Sequence, residues 1–155
     1  MGGVLFDSQY DPKSWFATSI TPEDTHRLQA IPGVCDYNTL WEALAILIAL
    51  RLWGVGIKGA NFHIRSDSLA ACGAFVKLAS RSPNSNLVAA ELALDLSELV
   101  YDISMFTHIP GVNALADPLS RLWAPSPSEV PKELSRVSEA KVPSRDREFW
   151  RSLAA

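Results

Sequence analysis

At 155 residues, 48% hydrophobic and 20% charged, the chain is long enough for one hydrophobic core and too short for two, so one domain is expected. Its formal charge of −3 is uneven: residues 1–123 hold 8 Lys or Arg against 12 Asp or Glu, while residues 124–155 hold 6 against 5. An acidic folded part lacks the broad basic surface that neutralises phosphates, so a nucleic-acid partner would need metal ions or a neighbouring domain to help hold it.

In chain order, no basic region followed by an apolar stretch opens the sequence, so no signal or transit peptide is read. "GGVLF" (2–6) and "SWFATSI" (14–20) are short β-rich runs separated by the turn-forming "DSQYDPK", which predicts a hairpin. "TPEDTHRLQAIPGVCDYN" (21–38) is polar and broken by Pro and Gly, mainly a connection with a single helical turn after Thr21. "TLWEALAILIALRLWGVG" (39–56) is apolar on nearly every side and predicts a buried helix. Its apolar stretch, Leu40 to Trp53, has 14 positions and includes Glu42 and Arg51, short of the roughly 18 needed to cross a bilayer, and no membrane partner is expected. "ANFHIRSDS" (60–68) is a strand, followed by helical "LAACGAFVKLAS" (69–80). "NLVAAELALDLSELVYD" (86–102) is an amphipathic helix with Leu87, Ala90, Leu94, Leu96 and Leu99 on one side and Glu91, Asp95, Glu98 and Asp102 on the other. "ISMFTHI" (103–109) is a further strand and "ALADPLSRLW" (114–123) a short helix that tolerates Pro118 in its first turn. The order is ββ, α, β, α, α, β, α.

Residues 124–155 hold four of the ten prolines and charges of both signs without a long apolar period. They read as a tail, mostly linker, with a short helix near "SRDREFWRSL". Cys35 and Cys72 form neither a metal-ligand pair nor a disulfide framework, as in a reducing compartment. The protein is read as intracellular, with cytoplasm and nucleus not distinguished.

Three acidic residues stand where a solvated-surface explanation is weak: Glu42 inside an apolar helix, Asp67 at the end of a strand, and Asp117 at the start of a helix after a Pro-Gly bend. Each has a local alternative. Thr39-x-x-Glu42 matches a capping box, Asp67 is placed to cap the helix that follows, and Asp117 suits the helix dipole. Together they also suit another chemistry. In α/β folds functional groups collect at the carboxyl ends of strands, and hard oxygen ligands meeting there suit Mg²⁺ or Mn²⁺. Two such ions, about 3.5–4 Å apart, would activate water and stabilise a leaving oxygen in phosphodiester hydrolysis.

The three stretches "TLWEALAILIALRLW", "FHIRSDSLAA" and "HIPGVNALADPLSR" together resemble the ribonuclease H domain that follows reverse transcriptase in retroelement pol polyproteins, of the LTR and tyrosine-recombinase types. The last stretch, Ile-Pro-Gly, Asn, Ala-Asp and Leu-Ser-Arg, is the most specific. The likeness runs over residues 2–123 in the family's order. It implies a ribonuclease H-like α/β fold with a mixed central sheet flanked by helices, and two-metal cleavage of the RNA strand of RNA–DNA hybrids. Glu42, Asp67 and Asp117 would be three of the family's four metal-binding carboxylates. The fourth sits on the family's first strand, before a glycine-rich second strand that "MGGVLF" resembles, so the domain (1–123) is expected to be amino-terminally truncated. A rival alignment makes "VLFD" the first strand and Asp7 the fourth ligand, but leaves one strand fewer than the family has before the long helix. The family's loop histidine has no counterpart in "PGVNALAD", and His26, His63 and His108 read as loop and sheet residues. Two further readings stay open: an inactive fragment of that domain, and an unrelated α/β interaction domain whose carboxylates are caps.

Overall fold

The structure, a computed structural model, describes residues 1–55, 61–98, 100–109, 111 and 113–152. Gly56, Ala60, Leu99, Pro110, Val112 and Leu153, which the sequence reading assigns to elements or motifs, lie outside these residues. Among the described residues the elements are β1 (Gly2–Phe6), β2 (Pro12–Ala17), α1 (Pro22–Leu28), α2 (Asn38–Gly54), β3 (Asn61–Ser66), α3 (Leu69–Lys77), α4 (Pro83–Ser97), β4 (Asp102–His108), α5 (Ala116–Ser120) and β5 (Ser138–Glu139). The class is mixed α/β. The expected order of elements is present, with α1 longer than a single turn. A capping box starts α1: the Thr21 hydroxyl accepts the Asp24 N–H at 3.1 Å, and the Asp24 carboxylate accepts the Thr21 N–H at 2.8 Å, satisfying two N–H groups at once.

Helix α2 is the centre of the molecule. Leu40, Trp41, Leu44, Leu47, Ile48 and Leu50 are all buried, and the apolar residues are spread around the axis, so no side of the helix is left to face water. Two small sheets lie against it where one mixed central sheet is expected. One has the order β1-β2-β5, with β1 antiparallel and β5 parallel to β2; the other is the parallel pair β3-β4. Phe16 of β2 and Phe62, Ile64, Ile103 and Phe106 of β3 and β4 pack into the same cluster as α2. Within the described residues β1 pairs with β2 alone and β3 with β4 alone, so each keeps an unpaired edge.

Two features depart from the sequence reading. The first is α4, whose acidic side is buried: Glu91 is 0% and Asp95 2% exposed. Arg51 explains the inversion, because its guanidinium donates to Glu91 Oε2 at 2.8 Å and to Asp95 Oδ2 at 2.8 Å. The second is the stretch expected to be mostly linker. Its described part is packed on the body at separated points: Leu134 joins Trp15 and Leu119 in a second apolar cluster, β5 extends the first sheet, and Phe149 and Trp150 are buried against the main core. Arg145 forms a buried ion pair with Asp24 at 2.7 Å, Arg151 reaches Asp95 and Glu98, and the Ser152 N–H donates to Glu91 Oε1 at 2.7 Å. These anchors are too far apart in sequence to make a period, which is why a pattern search reads the segment as linker.

Removing one partner of a buried ion pair leaves the other charge uncompensated, typically a loss of about 3–5 kcal/mol. Arg51→Ala is therefore expected to lower stability by about that amount in urea denaturation. Arg27→Ala, which removes a half-exposed helix pair with Glu23, should cost less than about 0.5 kcal/mol. Equal losses for the two would contradict the role given to Arg51.

Candidate active site

Glu42 lies early in α2, and the local explanation for it fails. The helix begins at Asn38, its cap is Tyr37 and no side chain bonds the cap, so the Thr39–Glu42 capping box does not form. Among the described residues no hydrogen bond or ion pair engages the Glu42 carboxyl. Its pKa is pushed above the usual glutamate value, first by burial, then by the negative charges of Asp67 and Asp117, while the Met1 ammonium acts in the opposite sense. The charges of Asp67 and Asp117, which lie on separate elements, both act on Glu42 in the same sense.

Asp67 follows the last residue of β3. The turn into α3 is made by serines instead: Ser66 Oγ accepts the Ser68 N–H at 3.1 Å, and Ser68 Oγ caps α3 by accepting the Ala71 N–H at 3.2 Å. The cap is thus Ser68 and not the expected Asp67, and the exposed Asp67 side chain is left without a hydrogen-bond partner among the described residues. The Asp67 carbonyl lies 3.0 Å from Nε2 of His108 on β4, which fixes the backbone under the free carboxylate.

Asp117 keeps a local role as well. Its Oδ2 accepts the Asn113 N–H at 3.2 Å, while Asn113 Oδ1 accepts the Ala116 N–H at 3.2 Å, a reciprocal closure of the turn that starts α5. Two glycines place this helix. Gly111, with φ +98°, supplies a left-handed bend between β4 and α5 that other residues adopt with strain. Gly2 lets β1 approach α5 closely, since a Cβ there would lie 2.5 Å from that of Leu119.

Asp7 is used elsewhere. Its carboxylate accepts the Gln9 N–H at 2.9 Å and the Asp11 N–H at 3.0 Å and pairs with Lys13 at 2.8 Å. The hydrogen-bonded Lys13 and the turn N–H groups hold its pKa below the usual aspartate value. It belongs to the β1–β2 hairpin, and it is not among the charges that act on Glu42.

The three carboxylates suit a divalent cation in chemistry but not yet in spacing. They are hard oxygen donors in mutual repulsion, which a cation would relieve. Among the described residues, however, no group of three or more His, Cys, Asp or Glu side chains stands close enough to hold a metal ion. A shallow apolar groove of about 330 Å³, lined by Phe75, Val76, Leu96 and Met105 among others, runs along α3 and β4 and includes none of the three. Sequence reasoning passed over two residues near Asp67: Arg65 on the same strand and Tyr10 at the hairpin tip, whose ring lies under the Arg65 guanidinium, 5.8 Å from it. A lone exposed tyrosine in a turn carries no signal in one sequence.

Among the described residues no helix is long and apolar enough to cross a membrane. Cys35 is exposed and Cys72 buried, both as free thiols. No protein-family model, curated protein or solved structure matches the chain.

Because the Glu42 pKa is raised on folding, the folded state holds that proton more tightly than the unfolded chain. Its contribution is then fully present below the ordinary glutamate value and is lost as pH rises through the folded value. Glu42→Gln is expected to melt about 2–4 °C above the wild type at pH 7, roughly the effect of 1 kcal/mol in a chain of this size. The difference should close toward about pH 4, where glutamate is largely protonated in the unfolded chain as well. A variant melting at or below the wild type at neutral pH would contradict the repulsion.

Proposed function

We propose that the chain is a ribonuclease H-like domain of a retroelement pol polyprotein, acting on the RNA strand of RNA–DNA hybrids with Mg²⁺ or Mn²⁺. What supports this reading is that Asp67 and Asp117 both raise the Glu42 pKa, and that these are the three carboxylates that the resemblance to that family names. Two of the three do no capping, which weighs against a non-enzymatic domain whose carboxylates only close helices.

Divalent cations, when bound, supply an attacking hydroxide at neutral pH and stabilise the leaving oxygen; Glu42, Asp67 and Asp117 are the side chains that would hold them. The rest of the chain's contribution is positional. The Ser66–Ser68 turn leaves Asp67 free, the Gly111 bend and the Asn113 closure aim α5, and the packing of α2 fixes Glu42. The expected substrate is a polymer, recognised by backbone shape and 2′-hydroxyl groups rather than base edges. The expected partners are the hybrid and an upstream reverse transcriptase domain.

A second reading is favoured by two observations: a chain that is inactive by itself. Asp7 is committed to its hairpin, which leaves the family's fourth carboxylate without a counterpart. Among the described residues the unpaired edges of β1 and β3 are what a sheet without its central first strand would leave, and no three His, Cys, Asp or Glu side chains stand at ion-holding distance.

Cleavage of a labelled RNA–DNA hybrid in Mg²⁺ and in Mn²⁺ separates these readings. The expected outcome is cleavage by a version extended upstream through the genomic reading frame, reduced about a hundredfold or more by Asp67→Asn and unchanged by Asp7→Asn. Cleavage by the chain as it stands, abolished by both substitutions, would make Asp7 the fourth ligand; no cleavage by any version would leave the inactive fragment.

A further inference from the structure

Tyr10 and Arg65 form a small built feature beside the carboxylates. Tyr10 has φ +63°, a left-handed backbone that a bulky residue rarely adopts, and is 65% exposed. The hairpin tip is held rigidly in that shape. The Tyr10 N–H donates to the Asp7 carbonyl at 3.0 Å, and the Asp7 carboxylate accepts from Gln9 and Asp11 while pairing with Lys13. A turn so closely bonded presents an aromatic ring that gains little by burial.

Arg65 lies over that ring. Arg27, Arg51, Arg145 and Arg151 each pair with a carboxylate, whereas among the described residues no carboxylate pairs with Arg65. Along β3 the exposure alternates: Arg65 and Asp67 are exposed and Ser66 between them is buried. Arg65 thus points outward from β3, two residues before the exposed Asp67 in the turn that follows the strand. His63 on β3 is exposed on this same face, and its ring is bonded to Thr107 of β4 at 2.7 Å. His63, Arg65 and Asp67 are all exposed.

Resting on the reading above, we propose that the Tyr10–Arg65 pair is a nucleic-acid contact for the RNA–DNA hybrid whose backbone reaches Asp67. Arg65 holds a neighbouring phosphate through guanidinium N–H groups that stacking on Tyr10 leaves free. Tyr10 offers its open face to a sugar or base of the same strand, as exposed aromatics do in single-strand and RNA recognition. Lys13 offsets only one of the two hairpin carboxylates, Asp7 and Asp11, so phosphate contact at this edge depends on Arg65 against a locally negative hairpin.

Fluorescence anisotropy with a labelled RNA–DNA hybrid, in Ca²⁺ and over a range of salt, tests the pair. Tyr10→Ala and Arg65→Ala are each expected to weaken binding about five- to fiftyfold, and Arg65→Ala to reduce the slope of log affinity against log salt by about one. Tyr10→Phe, which keeps the ring, should bind as the wild type does. If the wild type binds and both alanine variants bind equally well, the pair only ties the hairpin to β3 and the proposal is overturned, although the ribonuclease reading stands. If neither the wild type nor the version extended upstream binds the hybrid, the ribonuclease reading fails and this proposal fails with it; if only the extended version binds, equal binding by its Tyr10→Ala and Arg65→Ala variants overturns the proposal.

Discussion

A helix that is apolar on every side must be covered on every side, and α2 sets that condition for the rest of the molecule. The two sheets, α3, α4 and the carboxyl-terminal stretch each cover part of it. A single small sheet does not suffice, which is the physical reason that residues 141–152 are needed in the core although their composition reads as linker. The apolar anchors Phe149 and Trp150, next to one another in sequence, close the last part of the helix surface.

Two ionisable side chains interrupt this helix, and their opposite environments separate structure from function. Arg51 is surrounded by its complement: Glu91, Asp95, the Phe149 carbonyl and, through Asp95, the Tyr101 hydroxyl. Burial and the adjacent Asp95 push the Tyr101 pKa up, so the phenol remains a donor. Such a network does not by itself make the fold more stable than an apolar replacement, but it fixes one arrangement and makes loss of either partner expensive. At Glu42 the Met1 ammonium opposes only part of the effect of burial and of the Asp67 and Asp117 charges, which together raise its pKa, and a perturbed carboxyl of this kind is a candidate for chemistry.

What was legible in the sequence follows from the range of the interactions involved. β1 and the body of α2 can be read from local pattern, because short β-rich runs between turn residues and a dense apolar helix are local properties. The candidate carboxylates were legible because each interrupts such a pattern. The buried side of α4 was not, since Glu91 and Asp95 are polar by composition and apolar in placement only because Arg51 lies 40 and 44 positions away. Capping was misassigned at Glu42 and Asp67 for a related reason: Ser68 competes for the same helix start as Asp67, and the 3₁₀ turn at Cys35–Tyr37 moves the start of α2 ahead of Thr39. The orientation of Tyr10 depends on a turn conformation and on a strand more than fifty residues away, which no local pattern encodes.

The charges of Asp67 and Asp117 both act on Glu42, which titration of the Glu42 side-chain carboxyl by ¹³C NMR in the wild type, in Asp67→Asn and in Asp117→Asn would test. The expected result is a wild-type pKa above the ordinary glutamate value that falls in both variants, more in Asp67→Asn. An ordinary pKa that neither substitution moves would show that the three carboxylates do not meet, and the candidate site would fall with them.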